Sequence, residues 1–216
     1  MGLFEKIDSR ISKSANLLLL GFNFFFIFVI PFFPAAWQST LSPLMFSLIF
    51  LTATFALDSW RRMMFSIAII ALVTEWLAFI FNLRVINLIS SLINILFFQL
   101  IVIKLIIQIA KSRKADAGII LESINGYLML GMLFAIWVAL SMMADPVAFQ
   151  FDTENPNIGD YIYFTFVTMT TLGYGDITPQ LPFAKSIATL ISTAGQIYIA
   201  VIIAMLVGKY AGKQNS

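Results

Sequence analysis

The hexapeptide Thr171-Leu172-Gly173-Tyr174-Gly175-Asp176 is the stretch best suited to chemistry, and that chemistry is coordination rather than bond making. A dehydrated monovalent cation needs a cage of oxygens in place of its water. Backbone carbonyls supply neutral, closely spaced oxygens if successive ones face the same way. An ordinary strand alternates its carbonyls, whereas the tolerance of glycine for unusual dihedrals at 173 and 175 lets them converge. Leu172 and Tyr174 then point away from the ion and pack against the helix before them, and the Thr171 hydroxyl adds the innermost oxygens. A Gly-Tyr-Gly alone signals only a turn. Here it follows a short amphipathic segment, 161–170, and lies between two apolar runs.

Bond-making chemistry is poorly provided for. The 216 residues include no Cys, which removes disulfides, thiol nucleophiles and thiolate metal sites. They include no His, the commonest general base and the usual zinc or haem ligand. No catalytic constellation stands out, so the expectation is no enzyme, no cofactor and no nucleic-acid partner.

The elements that must hold the hexapeptide are membrane helices. Hydrophobic residues make up 60% of the chain and charged ones 11%, against the roughly 25% that coats a soluble domain. Lipid is therefore the solvent, and a spanning helix needs about 20 apolar residues. Six runs qualify: 15–33, 41–57, 63–83, 85–110, 120–143 and 183–207. The segment 161–170 is too short to cross. It must dip into the membrane and return, which is tolerated only where backbone is buried in protein or lines a watery path.

Lys6, Arg10 and Lys13 precede the first run, Arg61 and Arg62 the third, Lys111, Arg113 and Lys114 the fifth, and Lys209 and Lys213 follow the last; the alternate connections hold only Arg84 and Lys185. Cytoplasmic loops collect such residues, so both termini are expected in the cytoplasm. The N-terminal run exceeds the 7–15 residues or so of a signal-peptide core, and is read as a span. The loop 144–161 then lies outside. Its Asp145, Asp152, Glu154 and Asp160 either concentrate cations at an outer vestibule or merely solvate a loop.

The segment Tyr161 to Asp176 resembles the signature of the potassium channel superfamily. The resemblance implies that the carbonyls of Thr171, Leu172, Gly173 and Tyr174 bind K+. One such loop cannot surround an ion, so it also implies a homotetramer about a central pore. The carboxyl ends of four pore helices, near Thr170, would favour a cation in the cavity. Two departures bear on filter support. Tyr163 and Phe164 stand where many relatives carry paired tryptophans, and Phe164 cannot donate to the Tyr174 hydroxyl. Val167 stands where some bacterial relatives place a carboxylate coupled to the position of Asp176.

The run from Gly195 to Ala200 also resembles small bacterial potassium-channel-like membrane proteins. Gly195 falls where the superfamily places an inner-helix hinge, and serves either bending or close packing. Helical spacing puts Gln196, Ile199 or Ala200, Ile203 and Val207 on one face. That face either lines the cavity, with Ile203 and Val207 as an apolar gate, or packs on the preceding span.

Six spans with a filter loop before the last resemble the voltage-gated layout, in count alone for the first four. A steep sensor needs many charges, each worth about 2.3 kcal/mol per 100 mV, and the run 85–110 carries only Lys104. Weak voltage dependence at most is expected. Glu75 lies near the middle of the third run, roughly 18 Å above Met63, while Gln99 lies roughly 16 Å above Ala110. Matching depth makes Gln99 its partner, with Lys104 in reach by its stem; the site is either a helix–helix bond or a sensor of pH or ligand.

The expected fold is all-α and membrane-integral, in the plasma or inner membrane. Residues 1–14 form a cytoplasmic N-terminus, 15–110 four charge-poor peripheral helices, and 111–119 a cytoplasmic linker. Residues 120–208 form a pore domain of outer helix, pore helix, filter and inner helix, and 209–216 a cytoplasmic tail, with no ligand-binding domain. Passive K+ conduction is the expected function. The alternatives are a weakly selective cation channel or a non-conducting regulatory subunit of a longer one.

Overall fold

Long apolar runs and proline positions account for most of the architecture seen in the computed structural model, which describes residues 3–57, 61–81, 84–112 and 117–214. The helices are α1 (Leu3–Phe24), α2 (Ala35–Ala56), α3 (Arg61–Ile80), α4 (Arg84–Lys111), α5 (Ala117–Ala144), α6 (Ile158–Met169) and α7 (Pro182–Gln214). Two short strands, β1 (Phe149–Gln150) and β2 (Thr178–Pro179), pair antiparallel, a small departure from the all-α expectation.

Among the described residues, five helical stretches are long and apolar enough to cross a membrane: Ser14–Phe32, Ala36–Ala56, Ile89–Lys111, Ala117–Ala144 and Pro182–Gly208. The chain is thus a multi-pass membrane protein. The third expected run, 63–83, corresponds to α3, whose described apolar stretch is the shorter Arg62–Thr74. The second span begins before residue 41, because α2 starts at Ala35 and carries Pro43 inside it. The cytoplasmic linker expected at 111–119 is shorter, since α4 runs to Lys111 and α5 starts at Ala117. The tail expected from 209 continues α7 to Gln214.

The chain divides into two compact units, Met1–Gly126 and Tyr127–Ser216. The division falls inside α5 and not in the expected linker. In the first unit α1 packs on α2, α2 on α3 and α3 on α4. Prolines 31 and 34 end the first span. Proline lacks an N–H and clashes one turn back, and α1 opens into a π-turn at Phe25–Val29 and a 3-10 turn at Ile30–Phe32. Gln38 Nε2 donates to the carbonyl of Phe33 freed there, at 2.8 Å. Aromatic rings fill the seam between α2 and α4, with Phe50 5.4 Å from Phe97 and Phe46 5.0 Å from Phe98.

The second unit has its own core. Phe134 and Val138 of α5, Ala148, Phe149, Phe164 and Met169, and Ala184 and Ile191 of α7 are buried together. This core seats α6, the short helix that leads into the hexapeptide.

Candidate functional site

The site is built outward from α6. Asn157 caps its N-terminus. The Gly159 N–H donates to Asn157 Oδ1 at 2.7 Å, and the Asn157 N–H donates back to Asp160 Oδ2 at 2.7 Å. This reciprocal capping box satisfies otherwise orphaned N–H groups and places a negative charge at the positive end of the helix. Asp160 therefore acts locally, as a cap. Asp145, just past α5, is also engaged locally, accepting from the Val147 N–H at 3.0 Å in a turn, while Asp152 and Glu154 are exposed.

At the other end, α6 hands its last carbonyls to the hexapeptide. The Thr171 N–H donates to the Thr168 carbonyl at 3.0 Å, and the Leu172 and Gly173 N–H groups both donate to the Val167 carbonyl, at 2.9 and 3.2 Å. Every N–H from 171 to 173 is thus turned back toward the helix. Thr171, Gly173 and Gly175 have φ of 62°, 56° and 80°, and no other described residue has positive φ. Left-handed residues therefore alternate with Leu172 and Tyr174. Such alternation gathers successive N–H groups on one side of the chain. Ala-sized side chains at 173 and 175 would meet nothing within 4 Å. Conformation, not space, is what demands glycine at those two positions. Thr171 adopts the same hand without being glycine; for a β-branched residue this costs about 1–3 kcal/mol.

Leu172 and Tyr174 were expected to pack on the helix before them. In this chain they are 56% and 68% exposed. Their apolar surfaces are left largely uncovered within this chain.

The outer end of the segment is held by side chains. The Tyr163 hydroxyl donates to Asp176 Oδ2 at 2.6 Å. That bond lowers the Asp176 pKa from the usual aspartate value and, with smaller contributions, pushes Tyr163 up to about 12. Asp176 is therefore coupled to Tyr163, with Val167 contributing its carbonyl instead of a side-chain charge. Phe164 turns the other way, into the core, where its ring meets Phe149 edge-on at 5.1 Å. Beyond Asp176, Gln150 pairs with Thr178 and Phe149 with Pro179. The Gln180 N–H donates to the Ala148 carbonyl at 2.9 Å, closing this tie between the loop after α5 and the exit of the hexapeptide.

On α7, Ala184, Ile191 and Tyr198 are buried. Gln196, Ile199, Ala200, Ile203 and Val207 are exposed along other faces. Gln196 Nε2 reaches the Met169 carbonyl at 3.3 Å, at the C-terminal end of α6, and Thr170 beside it is exposed. A Cβ on Gly195 would collide with that same Met169 carbonyl oxygen. Of the two expected roles for Gly195, this geometry is that of close packing. Gly131 on α5 plays a matching part against the Phe166 ring.

Of the intramembrane polar trio, Gln99 and Lys104 are half-buried on α4, and the Glu75 side chain lies outside the described residues. The structure brings forward another acid that a sequence reading passes over. Glu122, one turn into α5, is 7% exposed. Its Oε1 accepts from Asn16 Nδ2 at 3.3 Å and its Oε2 from Gln108 Nε2 at 3.2 Å. A lone acid near the end of a span reads as a headgroup-level residue. The available signal was the shared face of Glu122 and Asn125, with Asn16 and Asn23 two turns apart on α1.

Comparison with known proteins bears on the second unit. Residues 127–211 match a family model described as an ion channel. Potassium voltage-gated channel subfamily A member 10 of Mus musculus is 32% identical over 87 residues, 38% of this chain and 17% of that protein. Subfamily A member 2 of Xenopus laevis is 30% identical over 86 residues, with the same shares of 38% and 17%. Subfamily A member 6 of Homo sapiens is 31% identical over 86 residues, 38% of this chain and 16% of that protein. The chain thus spans only about a sixth of the length of these relatives. The likenesses are to channels and not to enzymes.

Proposed function

We propose that this chain is one subunit of a homotetrameric potassium channel, conducting K+ passively and with selectivity over Na+. The observation that carries the reading is the alternating hand of 171–175. With N–H groups drawn back onto Val167 and Thr168, the carbonyls of Thr171, Leu172, Gly173 and Tyr174 are free to replace the hydration shell of an ion. The exposed Leu172 and Tyr174 side chains support an assembly, because a neighbouring subunit supplies the packing their own chain lacks. The match of 127–211 to an ion-channel family and the potassium-channel relatives support the same reading.

On this reading α6 is the pore helix and α7 the inner helix. Gln196 and Thr170 border the cavity, and Ile199, Ile203 and Val207 line the inner path, where Ile203 and Val207 gate by dewetting. Both termini face the cytoplasm. With Lys104 the one cation well inside the fourth run, opening depends on voltage weakly at most.

The test is K+ flux from proteoliposomes reconstituted with the purified full chain. Under bi-ionic K+/Na+ gradients, a reversal potential near the K+ equilibrium value is expected. A reversal potential near zero replaces selectivity with general cation conduction. No flux at any voltage sinks the channel reading for the chain by itself.

A further inference from the structure

Burying a carboxylate among apolar helices is expensive, and a well-packed hydrophobic replacement is often as stable or more so. Glu122 is nonetheless buried, and it sits where four helices are joined. Asn16 of α1 donates to one of its oxygens at 3.3 Å and Gln108 of α4 to the other at 3.2 Å. Gln108 Nε2 also donates to the Ala56 carbonyl at the C-terminal end of α2, at 3.1 Å. One turn further along α5, Asn125 Nδ2 donates to the Asn16 carbonyl at 2.8 Å, and Asn125 Oδ1 accepts from Asn23 Nδ2 at 3.2 Å. The first turns of α5 are thus tied through side chains to α1 and α4, and by way of Gln108 to α2.

Stability does not account for this cluster. Asn23 Oδ1 is buried with no hydrogen-bond partner, and a network that leaves one member unsatisfied is worse for folding than an apolar seam. What the cluster does accomplish is directional. α5 is a single unbroken helix from Ala117 to Ala144, and the boundary between the two units falls within it, after Gly126. Its first turns are held by the peripheral helices. Its later residues, Tyr127 onward, belong to the unit that carries the hexapeptide.

We propose that Glu122 is a positioning residue for gating. Its two amide-to-carboxylate bonds fasten the start of α5 to α1 and α4, so that displacement of the peripheral helices moves α5 and thereby sets the open probability of the pore. The residue touches neither ion nor filter, so it controls how often the pore opens and not what passes. This inference rests on the channel reading above.

Single-channel recording from the reconstituted full chain tests it, with Glu122→Ala, Glu122→Gln, Asn16→Ala and Gln108→Ala compared with the wild type. Glu122→Ala is expected to shift open probability at least tenfold, with reversal potential and unitary conductance unchanged. Asn16→Ala and Gln108→Ala, each removing one amide donor to the carboxylate, shift it in the same direction by less. Either one added to Glu122→Ala has less effect than it has alone, because the bond to the carboxylate is already gone and only the Gln108–Ala56 or Asn16–Asn125 contact is left to lose. Glu122→Gln keeps one acceptor and the shape, and falls between.

If Glu122→Ala does not assemble, the two single-donor variants decide. Open probability within twofold of wild type in both overturns the proposal. So does a loss of thermal stability across the set with gating unmoved, which is what a merely structural role produces. Hydrogen exchange over 117–126 in the detergent-solubilised protein gives a readout independent of conduction. Faster exchange there in Asn16→Ala is expected, and unchanged exchange means there is no clamp. A silent wild type, by contrast, removes the channel reading itself while leaving the exchange result to judge the clamp.

Discussion

Two neighbouring regions of the second unit both require glycine, for opposite physical reasons. In the hexapeptide, Gly173 and Gly175 sit in open space with positive φ. At the helix crossings beneath it, Gly195 and Gly131 lie within ordinary helices, yet a Cβ on either would strike a neighbour. The first pair provides conformation and the second provides room. The contrast teaches that the filter proposed here has separate requirements: a chain able to alternate its hand, and a scaffold that brings α5, α6 and α7 close enough to hold it. A substitution at one pair should leave the other requirement intact.

The largest expected effect follows from the first pair. Gly173→Ala or Gly175→Ala imposes on an ordinary residue a left-handed conformation that disfavours it by about 1–2 kcal/mol. In the proposed tetramer, four such positions round a shared axis would disrupt the carbonyl rings together. K+ flux from proteoliposomes should fall at least a hundredfold, while the thermal midpoint of the oligomer falls only by what the backbone strain takes, because no side chain of the same chain is crowded. Normal flux from Gly173→Ala would break the contrast, since conformation would then not be what the glycine supplies.

The second pair is expected to behave in reverse, with a smaller effect and on stability first. Overpacking costs about 1–3 kcal/mol. At Gly131 the obstacle is the Phe166 ring, a side chain that can be trimmed, so Phe166→Leu should rescue the thermal midpoint of Gly131→Ala. At Gly195 the obstacle includes the Met169 backbone carbonyl. Met169→Ala removes the side chain but leaves that oxygen, and should fail to rescue Gly195→Ala. Equal rescue at both positions would show that Gly195 contacts only a side chain and would reopen its role as a hinge.

What could be read from the residues alone divides along the same line. The hexapeptide is legible because a conformational demand is written in the position of glycine itself. The spans are legible because lipid tolerates so few charges, although the start of α2, ahead of Pro43, and the short apolar stretch of α3 are not. Gly195 stays ambiguous in sequence, since a helical glycine carries no mark of the atom facing it. The left-handed Thr171 is hidden, because a β-branched residue argues against that conformation. Phe164 and Tyr163 are adjacent and similar in type. Only the fold shows that one fills the core against Phe149 while the other bonds Asp176. Glu122 is hidden because its partners lie on α1 and α4, far away in the chain.

The smallest effect concerns whether the alternating segment supports itself or needs its outer tie. Its inner half is held by the carbonyls of Val167 and Thr168, and its outer end by the Tyr163–Asp176 bond. The Asp176 carboxyl is held below its ordinary value, so the bond persists above that value and fails only as pH drops through the lowered one. Tyr163 is raised from 10.0 to about 12, so its contribution is complete below the ordinary tyrosine value and is lost as pH climbs from there toward 12. Between these limits the tie is constant. The decay of K+ current during sustained opening should therefore be flat from about pH 5 to about pH 9 and accelerate in strong alkali. Tyr163→Phe should quicken the decay several-fold at neutral pH, abolish the alkaline limb and return Asp176 toward its usual titration, with K+/Na+ reversal unchanged. A Tyr163→Phe channel whose current decays as slowly as wild type, with the alkaline limb still present, would mean that the helix carbonyls alone hold the segment. The contrast between conformation and scaffold would then extend through the filter to its outer mouth.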